Sequence, residues 1–261
     1  MKKIYKNILC IACIGSFFIG CSSKSTSSFT SLDTLRLPVK NYETKKNTGR
    51  TLSFATINPV LTINFNASTD LHNSLEKRLK HSANLLSCKL PTEIKKILIS
   101  KGISVTDNYW SRNDMTFSQK RDTSTLFYPM IKIYIDQDTV DTFKSINDSK
   151  PKKSKTSGKL KVRATVELIS LEPLSGEKIW LKSLPLKRKD FTVDIEYSGK
   201  LRRAKNIFSV DSRAIGVTKE IDNLIVEIYK KIIEGVEKYV DYDEFTLLNK
   251  DIAKIKKIKR Y

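Results

Sequence analysis

From Leu52 onward the chain switches between two rhythms of apolar residues. A period of two marks strands, whose side chains alternate faces. A period near 3.6 marks helices, whose side chains return to one face every three or four residues. Phe54, Ile57, Val60, Leu61, Ile63 and Phe65 form a β-rich stretch interrupted by Pro59. Leu71, Leu75, Leu79 and Leu86 follow at helical spacing, with Ser68 or Thr69 able to cap the first turn. Pro91 opens a second helical piece through Ile94, Ile97 and Leu98, and Gly102 ends it. Residues 103–105 predict a short strand. Residues 107–124 are polar and read as a loop with one helical turn near 117–120.

Phe127, Met130, Ile131, Ile133, Tyr134 and Ile135 predict the next strand, with Pro129 placing its start at an edge or bulge. Residues 136–158 read as a polar, lysine-rich connection. Leu160, Val162, Ala164, Val166, Leu168 and Ile169 give the clearest alternation in the chain. A turn at Pro173, Ser175 and Gly176 leads to an antiparallel partner through Ile179, Trp180, Leu181 and Leu184, and Phe191, Val193 and Ile195 predict one more strand. Val217, Ile221, Leu224, Ile225, Ile228, Ile232, Val236 and Tyr239 then mark a long helix, with Asp211 or Ser212 as its cap. Phe245, Leu248, Ile252, Ile255 and Ile258 mark a shorter one. Helices before and after a meander-like run of strands predict an α+β fold. Its mixed, largely antiparallel sheet is packed by one helix from the N-terminal half and by the long C-terminal helix.

The first residues follow neither rhythm. Lys2, Lys3 and Lys6 precede an uncharged apolar run from Ile8 to Ile19, which is short of the roughly 20 residues a membrane span needs. The run ends in Phe18-Ile19-Gly20-Cys21 and a Ser-rich segment. This resembles a bacterial lipoprotein signal, which implies cleavage after Gly20 and acylation of Cys21. Ser22 after that cysteine resembles lipoproteins passed on to the outer membrane. The organisation expected is therefore a signal peptide at 1–20, a lipidated Ser/Thr/Lys/Asn-rich tether at 21–50 and a single α+β envelope domain at 51–261. Cys10 and Cys13 leave with the signal. Cys88 remains, with no partner for an intramolecular disulfide, and the expected place for it is a buried position on a helix.

Charge then narrows the partners. The chain carries a net +20, and loss of residues 1–20 removes three lysines and no acid, leaving +17. An envelope location turns this excess away from nucleic acid and toward anionic lipids, lipopolysaccharide and glycans. Lys150, Lys152, Lys153, Lys155, Lys159, Lys161 and Arg163 stand within fourteen residues, and a second basic cluster closes the chain. Lys150, Lys152, Lys153 and Lys155 are candidates for electrostatic glycan contact. Trp110 and Arg112, beside Tyr109, Asn113 and Asp114, form a second candidate: an aromatic face for sugar C–H groups and a guanidinium fork for a carboxylate. His72 and His81 lie nine residues apart on one predicted helix, near opposite azimuths, which makes a poor metal pair. Nucleotide-loop, zinc-protease and serine-hydrolase motifs do not occur, and Ser149-x-x-Lys152 sits in a polar stretch. Neither catalysis nor a cofactor is expected.

Three strings carry a resemblance: Leu171-Glu172-Pro173-Leu174-Ser175-Gly176-Glu177, Phe117-Ser118-Gln119-Lys120, and the arrangement from Ser68 through Leu98 to Gly102 and Val105. With the lysine-rich end, they resemble the neuraminyllactose-binding haemagglutinin, or flagellar sheath adhesin, lipoproteins of spiral gastric and enteric bacteria. The resemblance spans about residues 58–261. It implies a lipid-anchored outer-membrane protein that binds sialyllactose-type glycans, with a flagellar sheath location among its settings. The family's receptor-binding stretch is of Lys-Arg-Thr-Ile-Gln-Lys type; here the region reads Lys150-Pro151-Lys152-Lys153-Ser154-Lys155, basic but differently ordered. The alternative reading is a structural or transport lipoprotein that binds lipid, lipopolysaccharide or another envelope protein.

Overall fold

The computed structural model describes residues 41–43, 52–66, 69–140, 144–145, 153–198, 211–215 and 217–258. In chain order the elements are β1 (Ser53–Ile57), β2 (Val60–Asn66), α1 (Thr69–Ser100), β3 (Ser104–Tyr109), α2 (Phe117–Asp122), β4 (Thr125–Val140), β5 (Lys144–Ser145), β6 (Lys153–Leu171), β7 (Lys178–Pro185), β8 (Lys189–Ser198), β9 (Asp211–Ile215), α3 (Val217–Tyr239) and α4 (Tyr242–Ile258). The fold is α+β. Nine strands form one mixed, mostly antiparallel sheet in the order β3-β1-β4-β6-β8-β9. β2 pairs with β4 beyond β1, and β7 pairs with β6 beyond β8.

Two long strands form its spine. β4 and β6 run antiparallel from Leu126↔Leu171 to Val140↔Gly158. Along both, one phase of the alternation is apolar and buried: Ile131, Ile133 and Ile135 on β4, and Leu160, Val162, Val166 and Leu168 on β6. The helices cover that face. α1 and α3 pack on each other and on the sheet, burying Leu79, Leu86, Leu90, Ile97, Ile221, Leu224, Ile228 and Ile232 in the same core. α3 approaches closely because Gly235 has no side chain; a Cβ there would meet the Cδ1 atoms of Leu184 and Leu168. Phe245 of α4 completes the layer, meeting Phe54 edge-on and Trp180 at a tilt, with ring centroids 5.0 and 5.4 Å away.

The two prolines expected to disturb strands share one seam. Pro59 separates β1 from β2. Pro129 lies inside β4, between the residues paired with β1 (Thr125–Phe127) and those paired with β2 (from Met130). It is thus not at the start of the strand; the missing N–H falls where the neighbouring strand is itself interrupted.

Other boundaries also differ from the periodicity. α1 is one helix of 32 residues with Pro91 inside it, because its apolar stripe continues on both sides of the proline and packing on α3 outweighs the lost bond. It ends as expected at Gly102, whose φ is 84°. The N–H of Gly102 donates to the Ile99 carbonyl and that of Ile103 to the Leu98 carbonyl, the Schellman arrangement. Residues 136–158 are not a plain connection: β4 extends to Val140, β5 pairs with β6, and β6 starts at Lys153. Ladder hydrogen bonds to β8, from Lys153↔Ser198 onward, hold this polar ribbon without an apolar phase to announce it. Likewise β3 reaches Tyr109, and Asp211 and Ser212 belong to strand β9, not to the cap of α3. Asp241 caps α4, its carboxylate accepting the Asp243 and Glu244 N–H groups. Cys88 is on α1 as expected, but exposed.

Tyr229 on α3 is only 2% exposed. Burial, helped by the Glu93 carboxylate, pushes its hydroxyl up to about 12. An unfolded tyrosine ionises at about 10. The neutral phenol therefore favours folding in full below about pH 10, and that contribution is lost as pH rises toward the folded value. Tyr229→Phe should make alkaline unfolding, followed by circular dichroism, less steep in this window.

Candidate functional site: the uncovered sheet face

The opposite phase of the same strands faces away from α1 and α3. Its rows are Val60–Met130–Glu167–Ser183, Thr62–Lys132–Thr165–Pro185, Asn64–Tyr134–Arg163 and Asn66–Asp136–Lys161–Asp190. Two cross-strand ion pairs organise it. The Lys132 ammonium donates to Glu167 Oε1 at 2.9 Å, and Arg163 Nη2 to Asp136 Oδ2 at 2.9 Å. The hydrogen bond to Glu167 holds the Lys132 ammonium above its ordinary value. Burial, then the Glu167 charge, raises the Tyr128 hydroxyl. The Arg163 guanidinium also stands 5.9 Å from the centre of the Tyr134 ring. Tyr134 is 38% exposed, a large value for an aromatic on a sheet, and is flanked by the exposed amide of Asn64. The arrangement offers an aromatic surface, an amide, a hydroxyl from Thr62 and a guanidinium within neighbouring rows, spaced by the ~4.8 Å between strands. Such a set can contact a polyhydroxylated, anionic chain without deep enclosure.

One end of this face is closed by the segment after β3. Met115 packs with Ala55, Ile57 and Leu126 in a small second core. Two capping boxes shape the segment: Ser111 with Asp114, and Thr116 with Gln119 at the start of α2. The Phe117-Ser118-Gln119-Lys120 string is therefore a helix start. Arg112 reaches across to the turn after β6, its Nε donating to the Pro173 carbonyl at 2.7 Å and its Nη2 to the Leu174 carbonyl. Inside that turn the Glu172 carboxylate, 2% exposed, accepts the Leu174 and Ser175 N–H groups. Gly176 has a φ of 76°, and a Cβ there would lie 3.1 Å from the Arg112 Cζ atom. The Leu171–Glu177 string thus builds a tight turn shaped to receive an arginine.

The candidate residues are scattered in space. Trp110 is 78% exposed, whereas the Arg112 fork is engaged by two carbonyls. Lys153 and Lys155 stand on β6 in register with Ser198 and Glu196, even numbers of residues from Lys159 and Lys161 along one strand. Cys21, Lys150 and Lys152 lie outside the described residues. Asp136 is a strand residue bonded to Arg163, and His81 is exposed on α1. Tyr134, Asn64 and Thr62 were not singled out by the sequence; their signal was the polar phase of the alternation, legible only once the covered face is known.

No family model matches the chain, and no curated protein matches it. Among solved structures, a Helicobacter pylori protein described as a neuraminyllactose-binding hemagglutinin homolog is similar over 83% of this chain and 98% of its own, at 15% identity and a TM-score of 0.51. The likeness is one of fold. A minor lipoprotein of Acinetobacter baumannii aligns over 71% of this chain and 90% of its own at 12% identity, with a TM-score of 0.19. A lipoprotein of Neisseria meningitidis aligns over 67% and 96% at 11% identity, with a TM-score of 0.18. Scores that low carry no structural argument.

Arg112→Ala tests whether this arginine serves the turn. Removal of a charged donor from two carbonyls should lower unfolding free energy by about 1–3 kcal/mol in urea, with glycan binding by the folded protein unchanged.

Proposed function

We propose that the protein is a lipid-anchored outer-membrane lipoprotein of adhesin type that binds anionic glycans. The sheet face that the described helices α1 and α3 leave open, around Tyr134, Arg163, Asn64 and Thr62, carries this reading. It is broad, it presents an aromatic and a guanidinium together, and it borders the strand continuing to Lys155 and Lys153. The Gly20-Cys21 signal supports the anchor, and the hemagglutinin homolog with the same fold supports the glycan class. The chemistry is recognition, not catalysis: the tyrosine ring meets sugar C–H groups, the guanidinium a carboxylate or sulfate, and the lysines of β6 add long-range attraction.

Two contributions are separable by salt. Exposed lysines act through charge that is screened beyond about 8 Å at physiological ionic strength, whereas contact with the tyrosine ring is not. On arrays of sialylated and sulfated glycans, Tyr134→Ala should weaken binding about tenfold, or ~1.4 kcal/mol, at low and high salt alike. Replacing Lys152, Lys153 and Lys155 together by Gln should weaken it at low salt only. Glycan binding untouched by Tyr134→Ala would remove the sheet face from this role. A domain shielded from protease on intact cells and cleaved only after lysis would contradict surface adhesion.

A further inference from the structure

On the open sheet face Lys132 pairs with Glu167 and Arg163 with Asp136. On α1, Lys80 pairs with Glu76 and Lys96 with Glu93, and lysines remain in excess. Between Lys80 and Lys96 its exposed titratable groups are Lys80, His81, Cys88, Lys89, Lys95 and Lys96. The one carboxylate in that span, Glu93, is 7% exposed and accepts from Lys96 at 2.7 Å. α3 exposes Lys219, Lys230 and Lys238 with Glu234 and carries Glu220, Asp222, Glu227 and Glu237 half-buried beside them, and along α4 and its cap exposed Lys250 and Lys254 stand against Asp241, Asp243, Glu244 and Asp251. The cationic excess of the described helical layer is therefore concentrated on α1.

A second observation concerns where the chain enters the domain. Tyr42 packs against the main core, and its hydroxyl donates to Glu237 Oε1 of α3 at 2.8 Å. Lys101, at the end of α1, donates to the Glu237 carbonyl at 2.7 Å. Among the described residues, the polypeptide following Cys21 thus first meets the domain at the α1–α3 layer, on the side opposite the open sheet face. Residues 22–41 lie between the two points. Fully extended they reach at most about 70 Å, at roughly 3.3–3.6 Å per residue, so α1 stays within range of the membrane at all times.

Resting on the reading of Cys21 as the lipid anchor, we infer that α1 lies against the membrane holding that lipid, its lysines meeting phosphate-bearing phospholipid headgroups, and that the open sheet face points away from it. Electrostatic attraction of several lysines to an anionic surface, acting within a Debye length, supplies the orientation. Entry of the chain at Tyr42 places the correct side next to that surface.

Cys88 lies among these lysines and is the one thiol left in an acylated mature chain, which makes it a built-in reporter. Full-length lipidated protein is placed in phosphatidylcholine vesicles with and without phosphatidylglycerol. Its labelling by a membrane-impermeant maleimide is then timed. Cys88 should react several-fold more slowly when phosphatidylglycerol is present. Thr62→Cys on the open face, in a Cys88→Ser background, should react equally fast in both. Changing Lys80, Lys89, Lys95 and Lys96 together to Gln should restore fast labelling of Cys88. Equal Cys88 rates in the two vesicle types, with acylated Cys21 confirmed by mass spectrometry, would overturn the orientation and leave the anchor standing. An unmodified Cys21 would overturn both. Slow labelling at Thr62→Cys, or protection of Cys88 by soluble heparin in phosphatidylcholine vesicles, would assign the membrane role elsewhere and overturn the inference.

Discussion

The antiparallel pairing of β4 with β6 is the constraint on which the rest of the structure depends. Its register, from Leu126↔Leu171 to Val140↔Gly158, aligns the isoleucines of β4 with the valines and leucines of β6 in one continuous apolar surface. A slip of one residue would bring either Lys132 and Tyr134 of β4 or Lys161 and Arg163 of β6 under the helices, because side chains alternate with a period of two. The register therefore determines at once what the helices bury and what the other face exposes. β1 and β2 extend the sheet from one side of the pair, and β7 and β8 from the other.

Several elements were legible because a single rhythm dominates them. Leu160 to Leu168 alternates without error, and the stripe from Val217 to Tyr239 reproduces the bounds of α3. Gly102 was legible for a different reason: a left-handed residue after an apolar helical run has few other uses. Where local chemistry and tertiary pairing disagreed, the sequence misled. Pro91 breaks the helical pattern by the rules of isolated helices, but buried neighbours on both sides carry α1 through it. The polar ribbon at the ends of β4 and β6 has no buried phase, so its strands depend on backbone pairing that composition does not encode.

The candidate site divides along the same line. Arg112 and the Leu171–Glu177 turn stood out as chemistry-bearing, yet the structure shows them shaping each other: a guanidinium capping two carbonyls, and a glycine leaving room for it. Tyr134 and Arg163 stood out less, since each is an ordinary polar-phase residue of a strand. What raises them is that neither α1 nor α3 covers their side of the sheet, where the segment leading into α2 closes only the end at Met115. Asymmetry between the faces is thus the link from the fold to the proposed function. One side is covered by helices and receives the incoming chain at Tyr42, and the other offers an open row of polar and aromatic groups.

The most direct test of this account is native-state hydrogen exchange resolved to individual peptides. If the β4–β6 pair is the central constraint, amides of residues 131–135 and 162–168 should exchange only through global unfolding, the slowest class in the chain, with α1 and α3 close behind and α2 far faster. Exchange of the β4–β6 amides through local opening, while the helices remain slow, would show that the helical layer stands without the strand pair and would contradict the account.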